Sequence, residues 1–180
     1  YIHLPVQAGD DKMLQIMNRK YTVEHYKNII QKIRNKMPDC AISTDFIVGY
    51  CKETPEMFEN TFNLFQEIQF DHAFISRYSP RPGTVSYKAF SDDVPNEIKA
   101  ERWHRLNNLL IEVSTNKNQT YIGKELEILV EKFIPETGES EGRSREYKLT
   151  QFPGSEDLIG KIVKVKVTNS LPWILKAELL

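Results

Sequence analysis

The spacing of apolar residues changes once along this 180-residue chain, and that change most constrains the fold. From Ile2 to about Tyr78, short β-branched runs alternate with segments whose apolar residues recur at helical spacing, which is typical of βαβ units and a parallel sheet. After Gly123 the apolar residues recur at every second position, which indicates half-buried antiparallel strands. The sequence therefore predicts an α/β part followed by a small all-β part.

We expect the α/β part to run strand, helix, helix, strand, helix, strand, with strands near 2–6, 41–49 and 70–78. Thr22 and Thr54 are suited to begin the second and third helices, because a threonine hydroxyl accepts hydrogen bonds from free backbone amides. The third helix should bury an aromatic face made of Phe58, Phe62, Phe65 and Ile68. The segment after the third strand is rich in Pro and Gly and is predicted to be irregular up to Pro95.

A long helix is predicted from Pro95 to about Tyr121. Its apolar face is expected to consist of Ile98, Leu106, Leu109, Leu110 and Val113. Beyond Gly123 we expect four or five strands, the last of them beginning at Trp173, which fits a compact barrel of the oligonucleotide-binding kind. The predicted domains are residues 1–118 and 119–180, joined by the long helix.

Composition and charge exclude several classes of function. The 24 Lys and Arg residues nearly cancel the 25 Asp and Glu residues, so attraction of the whole molecule to RNA or to an anionic membrane is not its main binding force. The two cysteines, Cys40 and Cys51, lack CxxC spacing, and the histidines lack ligand spacing, so we expect no metal site within the chain. No apolar run approaches the roughly 18 residues of a membrane span, and we expect a cytoplasmic protein.

Three loops are candidates for binding chemistry because each follows a predicted parallel strand directly. They are residues 7–9, 49–53 and 79–83. The carboxyl ends of parallel strands meet at one edge of a sheet, so we expect these loops to face a single crevice.

Four segments resemble the methylthiotransferases of the radical S-adenosylmethionine (SAM) superfamily, in particular the tRNA-modifying MiaB type. HLPVQAG (3–9) resembles the family's HLPVQSG, and MNRKYT (17–22) is identical to its MNRKYT. STDFIVG (43–49) resembles STDIIVG, and YSPRPGT (78–84) matches the tRNA-modifying branch. The all-β tail resembles the TRAM domain. The resemblance implies the second half of a partial (β/α) barrel followed by a TRAM barrel.

The resemblance also implies a function for the parent enzyme, which adds a methylthio group to isopentenyladenosine next to the anticodon of certain tRNAs. It implies SAM and two 4Fe-4S clusters as cofactors, and the anticodon stem-loop of tRNA as a partner. The cluster-binding cysteines of the family are absent from this chain, and the chain begins at Tyr1 inside a strand-like segment. We therefore expect an inactive C-terminal piece that lacks an N-terminal portion and carries no catalytic residue of its own.

For the cofactor pocket, the resemblance suggests roles for residues of the three loops. The cofactor-binding candidates are Gln7, Asp45, Gly49, Glu53 and Arg81. Gln7 offers an amide for a ribose hydroxyl or the methionine end, Gly49 and Glu53 resemble a pattern that lets adenine lie against backbone, and Arg81 presents a cation between two prolines. Asp45 is expected to point into the barrel, toward a ligand or a structural cation. The alternative for each is a structural role, such as a backbone hydrogen bond, a turn or a surface ion pair.

For RNA contact, the tail offers Lys132, Arg143, Arg145 and Lys148 for phosphates, and Trp173 or Tyr147 for stacking on a base. Residues 120–180 nevertheless carry nine basic and ten acidic side chains, so RNA binding requires the charges to separate by face. The alternative is a β cap whose charges only solvate its surface.

Two rival functions remain open at this point. A related methylthiotransferase could act on threonylcarbamoyl-adenosine in tRNA or on a ribosomal-protein aspartate, and a non-enzymatic RNA-binding module could share the same parts. An unpaired first strand would also favour self-association through residues 1–6, because an open sheet edge can pair with another chain.

Overall fold

The computed structural model describes all 180 residues, which form two compact units, residues 2–110 and residues 111–180 together with Tyr1. The first unit contains a three-stranded parallel sheet and its helices, and the second contains a closed five-stranded barrel. The predicted fold class, α/β followed by a small all-β barrel, is confirmed. No helix of the structure is both long and apolar enough to cross a bilayer.

The elements of the first unit follow the predicted order. The strands lie side by side in the order β1 (Ile2–His3), β2 (Ile42–Val48) and β3 (His72–Arg77). The helices are α1 (Asp11–Ile16), α2 (Val23–Lys36), α3 (Pro55–Ile68), α4 (Val85–Ala89) and α5 (Asn96–Gln119), the last of which ends in the second unit. β1 is a short edge strand, and self-association through residues 1–6 stays a prediction.

Local capping explains where two of these helices begin. The Thr22 hydroxyl accepts a hydrogen bond from the His25 amide at 3.2 Å, and the Thr54 hydroxyl accepts one from the Met57 amide at 3.2 Å. Pro55 occupies the first helical position of α3, where its missing N–H costs nothing. Both predicted helix starts are confirmed.

An aromatic cluster forms the centre of the first unit. The rings of Phe46, Phe65 and Phe70 lie 5.4–5.7 Å apart between the sheet and α3. The prediction that Phe62 joins this core was wrong in part, because Phe62 is only half-buried and packs under the Arg105 guanidinium, 5.0 Å from the ring centroid. A long arginine stem covers an aromatic face as effectively as a sheet does.

The inward face of α5 differs from its predicted apolar face at its first turn. Ile98 is 37% exposed, whereas the side chains of Lys99 and Arg102 are 2% and 5% exposed. Both cations face acidic partners beneath the helix, Asp92 and Glu53, so ion pairing rather than apolar packing sets the rotation of this turn.

The segment predicted to be irregular contains the five-residue helix α4. Thr84 caps it by accepting a hydrogen bond from the Tyr87 amide at 3.3 Å, and Tyr78 ties it to β3 through a 3.2 Å hydrogen bond to Ser86 Oγ. A helix this short depends on such a tertiary contact, which sequence spacing does not reveal.

The barrel strands of the second unit close in the order β4-β5-β6-β8-β7. Their bounds are β4 (Glu125–Ile134), β5 (Glu139–Ser144), β6 (Leu149–Pro153), β7 (Ile162–Ser170) and β8 (Leu175–Leu179). The barrel core consists of Ile128, Val130, Phe152, Val165 and Ala177. The predicted start of the last strand at Trp173 was wrong, because Trp173 precedes β8 and is 44% exposed.

Candidate cofactor cleft and nucleic-acid surface

The three predicted loops do meet at one cleft, at the carboxyl ends of β2 and β3. The cleft has a volume of about 430 Å³. Side chains from each loop or its flanking strand line it, among them Gln7, Asp45, Tyr50, Tyr78, Ser79 and Arg81. The cleft therefore combines two phenol rings with an amide, a carboxylate and a guanidinium.

Gln7 is held in the cleft by its backbone. Its amide donates to Asp45 O at 2.9 Å and its carbonyl accepts from the Ile47 amide at 3.0 Å, which continues the pairing with β2 after β1 has ended. Gln7 has a φ of 72°, in the left-handed region that costs a non-glycine residue on the order of 1 kcal/mol or more. The fold maintains this strained backbone and thereby points the Gln7 side chain into the cleft.

Asp45 lies midway along β2, lines the cleft and has its side chain 35% exposed. Its Oδ1 is 3.5 Å from His3 Nε2, and His3 Nδ1 lies 2.7 Å from Ser43 Oγ. β1 thus presents an imidazole that orients the Asp45 carboxylate at the wall of the cleft.

Gly49 and Glu53 form the turn behind the cleft and do not line it. The Gly49 amide donates to Glu53 Oε2 at 2.7 Å, and Arg102 Nη1 donates to the same oxygen at 2.6 Å. The other carboxylate oxygen, Oε1, is buried without a hydrogen-bond partner. Burial raises the pKa of Glu53 despite the opposing hydrogen bonds from Gly49 and Arg102. Glu53 therefore shapes the turn that carries Tyr50.

Arg81 lies exposed at the opposite wall of the cleft, and its guanidinium has no ion-pair partner. Thr84 Oγ1 donates to Arg81 O at 2.8 Å and the Thr84 amide donates to the same carbonyl at 3.2 Å, which closes the turn. An unpaired cation at the wall of a cleft is available to a ligand carboxylate or phosphate.

Sequence reasoning missed Lys99, Arg102 and Asp92. Lys99 pairs with Asp92, and Arg102 pairs with Glu53, near the N-terminal end of α5. A signal was present, because Lys99 and Arg102 extend the buried row of α5 at helical spacing toward its N-terminus. Charged residues on the buried row of a helix require partners, since burying an unpaired charge is costly. The row therefore indicated two internal ion pairs.

On the barrel, ion pairs are formed by the basic RNA candidates Lys132, Arg143 and Arg145. Lys132 lies 2.8 Å from Glu141 Oε1 and Arg145 lies 2.7 Å from Glu127 Oε2. Arg143 pairs with Glu131 and also lies over the Tyr147 ring at 4.8 Å. These paired cations occupy the outer surface of β4, β5 and the turn that follows.

The other RNA candidates differ in their exposure. Lys148 is only 8% exposed, with its ammonium 5.6 Å from the centroid of the Tyr121 ring, whereas Trp173 is 44% exposed. Burial opposes the ionisation of Glu141, but Lys132 and Gln151 together outweigh it and lower the pKa of this carboxyl. The side chains of Lys132, Arg143 and Arg145 are 58%, 33% and 78% exposed, so of these candidates only Lys148 is buried.

Two family models match separate parts of the chain. Residues 1–65 match the radical SAM superfamily, and residues 119–180 match the TRAM domain. A tRNA-2-methylthio-N(6)-dimethylallyladenosine synthase from Bacillus mycoides is 47% identical over an alignment that covers 99% of this chain and 35% of the relative. The chain therefore resembles the radical SAM methylthiotransferases along 99% of its length.

Other comparisons agree with this resemblance. A synthase of the same name from Geobacillus thermodenitrificans is 44% identical, again over 99% of this chain. The chain spans 34–35% of the length of these curated relatives. Among solved structures, coproporphyrinogen III oxidase (HemN) from Escherichia coli, a radical SAM enzyme, has a TM-score of 0.53 over 62% of this chain and 26% of that chain. At 20% identity this likeness shows the fold alone.

The cofactors implied by the methylthiotransferase family fit this chain unequally. The cleft fits SAM, because it places an amide, a carboxylate and an unpaired guanidinium beside aromatic rings. An iron–sulfur cluster does not fit, because no group of three or more His, Cys, Asp or Glu side chains lies close enough to hold a metal. Cys40 is half-buried, and Cys51 is buried in an apolar cluster with Ala8 and Met13.

Proposed function

We propose that this chain is part of a tRNA methylthiotransferase that modifies isopentenyladenosine next to the anticodon. The observation that carries this proposal is the 47% identity along the full chain to a tRNA-2-methylthio-N(6)-dimethylallyladenosine synthase. The converging loops support it, because this family acts through SAM and the chain offers a cleft suited to that cofactor. We assign residues 1–118 to the SAM-binding barrel and residues 119–180 to an RNA-binding TRAM domain.

In this proposal the residues of the α/β unit bind and orient the cofactor. When bound, SAM supplies the radical chemistry and the methyl group of the reaction. Gln7 hydrogen-bonds a ribose hydroxyl or the methionine end, and Arg81 pairs with the cofactor carboxylate. Asp45 accepts a hydrogen bond from the cofactor at the wall of the cleft. Gly49 and Glu53 act indirectly by holding the turn that places Tyr50 beside the adenine.

Binding of S-adenosylhomocysteine to the 180-residue chain tests this assignment. We expect calorimetry to detect binding, and we expect Gln7→Ala and Arg81→Ala each to weaken it about tenfold, because each removes a polar contact worth roughly 1–3 kcal/mol. Lys88→Ala is the matched control, since Lys88 is exposed on α4 and does not line the cleft. Unchanged affinity in both cleft variants would contradict the placement of the cofactor.

The TRAM domain is proposed to contact the anticodon stem-loop through Arg143, Arg145 and Trp173, with Lys132 and Lys148 nearby. Exposed arginines bind phosphates and an exposed tryptophan stacks on an unpaired base. The ion pairs of Arg143 with Glu131 and of Arg145 with Glu127 compete with RNA for these cations. RNA affinity is therefore set by how easily these pairs open.

Removing the acidic partners is expected to strengthen RNA binding. Glu127→Gln and Glu131→Gln should each tighten binding of an anticodon stem-loop by about two- to fivefold at low salt, because a surface ion pair is worth roughly 0.2–1 kcal/mol. Glu136→Gln is the control, since it makes the same charge change at an exposed residue of the β4–β5 turn that pairs with no arginine. Filter binding across a salt series measures the effect, and equal gains in all three variants would show that only net charge matters.

The reaction of the whole protein is tested in cells. Modified nucleosides from a strain lacking the gene should lose the methylthio group on isopentenyladenosine and regain it on complementation. Loss of methylthiolation on threonylcarbamoyl-adenosine, or on a ribosomal-protein aspartate, would instead assign the chain to one of the related methylthiotransferases. A strain with every such modification intact would favour the RNA-binding module.

A further inference from the structure

Lys99 touches both walls of the cofactor cleft without lining the cleft itself. It lies in the first turn of α5, and its side chain is 2% exposed. Burying a lysine costs free energy unless the ammonium is fully paired, so such a residue requires a specific set of partners. The ammonium of Lys99 bonds to one segment of the chain, and its methylenes contact another.

The aliphatic part of Lys99 packs against the first wall, the turn formed by residues 49–53. A Cβ built on Gly49 would overlap Lys99 Cγ and lie 3.0 Å from its Cδ, so the lysine methylenes lie directly on the glycine backbone. Gly49 also has a φ of +69°, which favours glycine for a second reason. The turn and the lysine stem are therefore in contact with no space for a side chain between them.

The ammonium of Lys99 bonds to the second wall, the segment that follows β3. Nζ donates to Asp92 Oδ1 and Oδ2 at 2.6 and 2.7 Å and to Tyr78 O at 3.2 Å. It also lies 5.4 Å from the centroid of the Tyr78 ring. The Tyr78 ring packs on Tyr50 of the first wall, with their centroids 4.6 Å apart. Lys99 thus contacts both Tyr78 and the turn against which Tyr78 packs.

A second link runs in parallel beside Lys99. Asp93 Oδ1 accepts a hydrogen bond from the Lys52 amide at 2.8 Å, and the Lys52 ammonium lies 4.7 Å from the centroid of the Phe90 ring. The segment that carries Asp92 and Asp93 is therefore attached at two points. Asp92 bonds to Lys99 of α5, and Asp93 bonds to the Lys52 amide of the 49–53 turn. The spacing of the walls therefore depends on these polar links together with the apolar contact between Tyr50 and Tyr78.

We propose that Lys99 is a positioning residue that sets the spacing between the 49–53 turn and the Tyr78–Thr84 segment, and so the geometry of the SAM cleft. The inference rests on the proposed function, since it assumes that the cofactor occupies this cleft. Lys99 acts through Tyr50, Tyr78 and the turn of Arg81, and it touches no ligand itself. A displacement of about 1 Å at such a wall is enough to weaken binding strongly.

The test compares Lys99→Met with Arg105→Met in the 180-residue chain. Both variants replace a cation of α5 with an unbranched apolar side chain, but Arg105 pairs with Glu59, away from the cleft. We expect Lys99→Met to weaken S-adenosylhomocysteine binding about tenfold or more, and Arg105→Met to leave the Kd within about twofold.

Hydrogen exchange followed by mass spectrometry provides a readout that does not need the ligand. Peptides covering residues 49–53 and 78–84 should exchange faster in Lys99→Met and not in Arg105→Met. Gly49→Ala disrupts the same contact by placing a methyl group against the Lys99 side chain. It should increase hydrogen exchange in the same two peptides. This second variant keeps the test decisive if Lys99→Met folds poorly. Unchanged exchange in both peptides, or equal loss of affinity in the Lys99 and Arg105 variants, would overturn the proposal. If the unaltered chain fails to bind S-adenosylhomocysteine, the proposed function fails, and the exchange data still decide the role of Lys99.

Discussion

Replacing Arg102 with methionine is expected to lower the free energy of unfolding of the α/β unit by about 3–5 kcal/mol, because it leaves a buried charge without its partner. The side chains of Arg102 and Glu53 are 5% and 0% exposed, and Arg102 Nη1 donates to both Glu53 Oε2 and Glu53 O. The variant removes both hydrogen bonds while the carboxylate stays in place behind Gly49. Urea unfolding followed by the fluorescence of Trp103, in a Trp173→Phe background, measures the loss.

The double variant Arg102→Met/Glu53→Gln is the control for this prediction. The single variant leaves the buried Glu53 carboxylate without its partner, and the double variant removes that charge. The double variant should therefore recover a large part of the lost stability. A double variant as unstable as Arg102→Met would contradict the explanation and assign the effect to lost packing against Phe58, which lies 5.5 Å from the guanidinium.

The stability loss in Arg102→Met should also depend on pH. Burial raises the pKa of Glu53 above its usual value of 4.5, and losing Arg102 is expected to raise it further. A carboxyl whose pKa is raised in the folded state favours folding below its unfolded pKa, and that contribution is lost as the pH rises through the folded value. The defect relative to the unaltered chain should therefore grow as the pH rises above the folded pKa of Glu53 in that chain, toward neutrality. A loss of unfolding free energy that stays constant across this range would contradict the explanation that Glu53 is left buried and unpaired.

Gly142→Ala is expected to destabilise the barrel by about 3 kcal/mol or more, because the added methyl group would clash with neighbouring atoms. Gly142 lies in β5, and a Cβ built there would overlap the Leu129 carbonyl of β4 and lie 2.8 Å from Ile128 Cγ2. The obstacle is the backbone of a hydrogen-bonded neighbour in a closed barrel, so relief requires the two strands to separate. Hydrogen exchange of peptides from 125–144 should report the loss, while peptides from β2 and α3 stay protected.

Gly138→Ala makes the same substitution in the neighbouring turn and is the matched control. Gly138 has a φ of +68°, but no atom lies within 4 Å of the added Cβ. Only backbone strain is expected there, on the order of 1–2 kcal/mol. Equal losses at the two glycines would show that conformation, and not the close approach of β4, explains the requirement for glycine at 142.

Several features of this chain were predictable because they depend on neighbours in sequence. Thr22 and Thr54 cap α2 and α3 as expected, since a cap is made within four residues. The alternation of apolar residues in β4 and β7 predicted their buried and exposed faces, because side chains of a strand alternate whatever they pair with. The convergence of the loops after β2 and β3 followed from parallel topology alone.

Other features were not predictable in this way because they depend on residues distant in sequence. Ile98 was expected on the buried face of α5, but Asp92 and Glu53 turn Lys99 and Arg102 inward instead. Glu53 was a candidate for the cofactor pocket, and the structure directs its carboxylate to Gly49 and Arg102. The roles of the candidate site residues in binding remain predictions for the experiments above.

The sequence by itself determined the class of the two units, the starts of α2 and α3, the location of the three loops and the family that the chain resembles. These properties are encoded by periodicity, capping residues and short motifs, which act over a few positions. Only the tertiary structure decided which charges pair, as with Lys99 and Asp92 on the cleft and Arg143 and Glu131 on the barrel. The partner of a charged side chain depends on the packing of whole elements, since many acids along the chain are equally suited to it and geometry alone selects one.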